Sequence, residues 1–131
     1  MNEGKDGKGG RMLLVIRPEQ MRIMAANAMR SMLTEHAISA HDAAAMDPAA
    51  LEERVSAVVR LCDEYGVERT ADQLKIMDLS LVFGADWRSP DCQWLAEGMR
   101  DPSVRDPSVR VGRLWRRALR RLSREASCPS P

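Results

Sequence analysis

Between Thr70 and Gly84 the chain is apolar on nearly every side. Leu74, Ile76, Met77, Leu79, Leu81, Val82 and Phe83 are interrupted only by Lys75, Asp78 and Ser80. A helix with no polar face cannot lie half-buried at a surface, so other elements must enclose it. Thr70 and Gln73 have the spacing of a capping box at its start, and Gly84 stands where a helix would stop.

The segments around it have the amphipathic spacing of enclosing helices. Pro18 opens a run in which Met21, Met24, Ala25, Ala28, Met29, Met32 and Leu33 recur at three- and four-residue steps, predicting a helix over 18–36. Asp47-Pro48 repeats the start signal, with Leu51, Val55, Val58, Val59, Cys62 and Tyr65 on one face up to Gly66, predicting a helix over 48–65. Ser89-Pro90 opens a short fourth helix carrying Trp94, Leu95 and Met99. A pentapeptide then occurs twice, Asp101 to Arg105 and Asp106 to Arg110, and reads as a duplicated connection whose second Asp-Pro caps the last helix. That helix carries Val111, Leu114, Trp115, Ala118, Leu119 and Leu122 on one stripe.

Leu, Met, Ala, Arg and Glu favour helix, and aromatics are only 4% of the chain. The fold expected is all-α, a four- to five-helix orthogonal bundle with a short extended N-terminal segment. Residues 1–11, polar and glycine-rich, read as a disordered leader. Residues 12–125 read as a single helical domain and 126–131 as a frayed tail. Within that domain Met12 to Ile16 is an apolar run halted by Arg17-Pro18, and the residue before a proline is pushed toward extended geometry.

The net charge of +1 conceals an asymmetry. Residues 12–104 carry nine basic and fifteen acidic groups, residues 105–131 eight and two. Opposed halves of this kind attract each other or a charged partner. The cysteines Cys62, Cys92 and Cys128 form no CxxC pair, and their odd number argues for a reducing compartment. Met12 to Ile16 is too short for a signal-peptide core or a membrane span. A cytoplasmic protein with no membrane span is the expectation.

No catalytic centre can be assembled from these residues. His36, His41, Asp42 and Asp47 fall close together, yet without a zinc-protease pattern or a second Cys or His cluster they read as turn and capping residues, and no metal or other cofactor is expected. Cys62 lies on an apolar stripe and Cys92 in a first helical turn, neither with a base identifiable in sequence. Asp78, inside the most apolar helix, must be paired or neutralised, with Arg22, Arg54 or Arg60 as expected partners. Arg113, Arg116, Arg117, Arg120, Arg121 and Arg124 form a basic face on the last helix, which reads first as the solvated or internally neutralised side of an amphipathic helix and second as a surface for an acidic protein partner; the acidic body argues against nucleic acid. The apolar Leu13, Leu14, Val15 and Ile16 are a second candidate partner surface. Met21, Met24, Met29 and Met32 pose the question of core packing against partner contact.

Several stretches together, Leu14 to Met21, Cys62 to Val67, Asp72, Asp78 to Trp87, Trp94 and Arg113 to Trp115, resemble a family of small helical accessory proteins encoded beside PAAR-repeat and VgrG-type spike and toxin genes of bacterial type VI secretion loci. The chain differs from that pattern in its small-residue run, Ala37 to Ala45, and in the duplicated pentapeptide. The resemblance implies a non-enzymatic adaptor or chaperone that holds an effector toxin or spike component, with no small-molecule substrate. A small nucleic-acid-binding regulator using the arginine face, or an immunity protein for a cognate toxin, are the alternatives.

Overall fold

The computed structural model describes residues 17–127. The expected leader and the Met12 to Ile16 segment, with Leu13, Leu14, Val15 and Ile16, lie outside the described residues. Within them the chain forms five α-helices and no strand: α1 (Pro18–His41), α2 (Pro48–Tyr65), α3 (Thr70–Phe83), α4 (Gln93–Met99) and α5 (Pro107–Ser127). Two 3-10 turns, Ala43–Ala45 and Pro90–Cys92, join them. None of the helices is long and apolar enough to cross a membrane.

The proline start signals of α1, α2 and α5 act as expected, whereas Ser89-Pro90 opens a 3-10 turn and α4 begins only at Gln93. Pro18, Pro48 and Pro107 occupy the first helical positions, where the missing N–H costs nothing. Asp106 accepts from the Ser108 backbone N–H at 2.9 Å and so caps α5. Gly66 ends α2 at φ 68, in the left-handed region that glycine enters without strain. Gly84 ends α3 at φ 117, where a side chain would be strained and a Cβ would stand 3.3 Å from the Cys92 sulfur.

Two local expectations are corrected. Helix α1 continues to His41 instead of stopping at 36, because Ala37 is fully buried and Ala37 to Ala40 contains no breaker. Asp42, at φ 54, then closes the helix, its N–H donating to the Ala37 carbonyl. The capping box of α3 does not form: Arg69 is the N-cap, and Gln73 donates its amide to the carbonyls of Val67 and Glu68.

Helix α3 is the hub, packing on α1, α2 and α5, while α4 packs on α5. Leu33 of α1, Val58 of α2, Ile76, Met77 and Leu79 of α3, Leu95 and Met99 of α4, and Val111 of α5 are essentially inaccessible and form one core. Each such side chain contributes about 1.5–3 kcal/mol relative to exposure. The enclosure of α3 is incomplete, however, since Val82 is 48% exposed. Helix α1 docks by its C-terminal half alone: Met29 and Met32 pack against the core, whereas Met21 and Met24 are exposed.

Candidate functional site

Where the end of α1 meets α3, three side chains converge. His36 and His41 of α1 both direct Nε2 at the same oxygen of Asp78 on α3, Oδ1, at 2.7 and 2.6 Å. All three are half-buried, and the imidazoles meet edge to face, with centroids 6.1 Å apart. Asp78 therefore pairs with histidines, and the expected arginine partners are corrected. Arg54 donates to the Ser80 carbonyl at 2.6 Å, while Arg22 and Arg60 are exposed. The reason is the extra length of α1: an end at residue 36 would have left His41 in a connection, whereas the additional helical turn carries it to Asp78. Asp42 closes α1 through its backbone, and Asp47 holds the N-cap position of α2 without a side-chain capping bond.

Beside this cluster runs an apolar groove of 190 Å³ between α3 and α5, lined by Leu79, Val82 and Phe83 on one side and Trp115, Leu119 and Leu122 on the other. His41 and Asp78 also line it. Leu119 and Leu122 are 47% and 36% exposed, which corrects their expected place in the core stripe; Val111, Leu114 and Ala118 do fill that stripe. Relative helix lengths explain the difference. At ~1.5 Å per residue, the 21 residues of α5 outrun the 14 of α3 and the 7 of α4, so its distal apolar side chains have no helix to cover them.

The six arginines expected to form the basic face of α5 divide into two sets. Arg117 and Arg121 lie over the Trp94 indole, 5.2 and 4.3 Å from its centroid. Phe83 meets the same ring edge-on at 5.2 Å. Arg113, Arg116, Arg120 and Arg124 are exposed, and Arg113 is near enough to Asp101 to help lower its carboxyl pKa, behind the stronger effect of hydrogen bonds from Ser103. Arg116 and Arg120 bracket Leu119 along the helix.

Cys62 and Cys92, the cysteines among the described residues, are core residues. Cys62 is buried, and desolvation pushes its thiol up to about 12. Cys92 is buried with its thiol donating to the Phe83 carbonyl at 3.2 Å. A broader concavity of 820 Å³ between α2 and the 84–92 connection is lined by charges of both signs, among them Glu53, Arg54, Arg60 and Asp86.

Sequence reasoning missed both the histidine cluster and the groove. The alanine-rich continuation of α1 was the available signal for the first. For the second it was an α3 with no polar face beside an α5 longer than its partners. No family model, curated protein or solved structure matches the chain. What fold and site define is an all-α bundle with an apolar groove between α3 and α5.

Proposed function

We propose that this protein is a non-enzymatic interaction module that receives an apolar, acidic-flanked helical segment of a partner protein in the α3–α5 groove. The observation that carries the reading is the shared exposure of Val82, Leu119 and Leu122 along one groove. Apolar side chains left uncovered in a groove are what an amphipathic helix buries. Arg116 and Arg120, one turn apart on the face of α5 next to Leu119, select for an acidic flank, and the basic excess of residues 105–131 steers such a partner to this end. The family resemblance supplies the partner class, an effector toxin or spike component held by a cytoplasmic adaptor or chaperone.

The nucleic-acid reading loses support from the same geometry. Arg117 and Arg121 pack over Trp94 and Trp115 packs against the core, so two of the six arginines and the tryptophan of that helix are engaged within the fold. An immunity protein would also bind a protein partner, and is distinguished by protection of cells expressing the toxin.

The test is capture of the partner by the tagged protein, with and without nuclease, and by two variants. Leu119→Glu combined with Leu122→Glu abolishes capture, as does reversal of Arg116, Arg120 and Arg124 to Glu, each with far-UV helicity retained. Arg117 and Arg121 are kept so that Trp94 stays packed. Capture undiminished by the leucine pair, or only nucleic acid recovered, contradicts the reading.

A further inference from the structure

We propose that His36, His41 and Asp78 form a binding site for one divalent transition-metal ion of the Zn²⁺ class. Two imidazoles and one carboxylate are the donor set such ions prefer, whereas Ca²⁺ and Mg²⁺ require oxygen donors throughout. The arrangement brings the donors together before any ion arrives: two ring nitrogens from one helix point at one oxygen on another, and the three ligand atoms lie within 4.8 Å of one another.

Around an ion with ligands at ~2.0–2.2 Å, tetrahedral donor atoms stand about 3.3 Å apart. The present 2.6 and 2.7 Å separations must therefore open by less than about 1 Å, within the reach of half-buried side chains.

Location adds a second, independent argument. His41 is the last residue of α1, and the unsatisfied carbonyls at a helix C-terminus favour a cation there. Binding replaces the two Nε2···Oδ1 contacts with two nitrogen–metal bonds: each Nε2 gives up its proton, which moves through solvent to Nδ1 of a neutral ring or is released from a protonated one, so that a lone pair faces the ion. Three protein ligands leave a fourth position to water, the pattern of an accessible site, and the ion would tie the end of α1 to α3. Occupancy of the groove is not required; either proposal can fail alone.

The experiment titrates the chelator-treated full chain with Co²⁺ and Zn²⁺, using a Cys128→Ser background to remove the tail thiol. Expected are visible d–d absorption saturating at one Co²⁺ per chain, no thiolate-to-cobalt charge transfer, and displacement by Zn²⁺. Affinity falls at least about ten-fold in His36→Gln and in His41→Gln. Thermal midpoints provide a second readout: Zn²⁺ raises that of the parent and leaves that of His41→Gln unmoved, with circular dichroism showing that both are folded. Several weak equivalents without saturation, a sulfur charge-transfer band, or affinity unchanged in both histidine variants overturns the proposal.

Discussion

The Ser108 hydroxyl donates to the buried Asp72 carboxylate at 2.6 Å, tying the first turn of α5 to the first turn of α3. Its counterpart one repeat earlier, Ser103, donates instead to Asp101 at 2.7 Å, within its own exposed turn. Two identical pentapeptides thus have opposite environments: Val104 is buried where Val109 is exposed. The second copy starts a helix and the first does not, because only the second is followed by the apolar stripe that packs α5 onto α3 and α4.

The repeat supplies its own control for a stability measurement. Ser108→Ala leaves a buried carboxylate oxygen without its donor and costs about 1–3 kcal/mol. Ser103→Ala removes an exposed bond and costs less than about 0.5 kcal/mol. Urea unfolding of the two variants compares them directly, and equal effects would refute the asymmetry.

Alkaline pH destabilises the fold through Cys62. The native thiol keeps its proton up to about 12, while the unfolded thiol loses it above its ordinary value of 9.0. The unfolded state therefore binds fewer protons in this window, and stability falls as pH rises, by up to ~1.4 kcal/mol per pH unit. Tyr65, raised first by burial and then by Glu64, adds a loss in the same direction above its ordinary 10.0. Cys62→Ala lowers stability at neutral pH by leaving a small cavity, but flattens the decline between pH 9.0 and 10.0. Urea midpoints across that interval check the slope; an unchanged slope contradicts the assignment.

Arg121 acts as a packing residue on Trp94. Arg121→Ala removes the closer of the two guanidinium contacts, 4.3 Å from the ring, and costs ~0.5–1 kcal/mol. Arg124→Ala, an exposed change on the same helix, stays within about 0.5 kcal/mol. Thermal unfolding of both variants distinguishes a structural arginine from a solvated one.

Helix starts were legible because their chemistry is local. Proline at a first turn, with an Asp before Pro48 and Pro107, needs no knowledge of tertiary packing, and the starts of α1, α2 and α5 follow from it. The end of α1 was not legible: Ala37 to Ala40 can extend a helix or form a connection, and burial of Ala37 against the core decides between them. That decision placed His41 beside Asp78, so an error of five residues in a helix end concealed the whole cluster. Nor does a periodic stripe say how far its partners extend. Leu119 and Leu122 satisfy the helical spacing as well as Leu114 does, yet only Leu114 is covered. Arg117 and Arg121 were likewise read with the solvated face, since their target, Trp94, lies on another helix.

If the α3–α5 groove holds an apolar segment of a protein partner, as proposed, a photo-crosslinking residue placed at Leu119 captures that segment in native extract. The control site is Glu52, exposed on α2. The expected result is a crosslink from position 119 to one protein, mapped to an amphipathic helical peptide with acidic flanks, absent from position 52 and lost with Leu122→Glu. No crosslink at 119, equal crosslinking from both sites, or adducts with nucleic acid alone would contradict it.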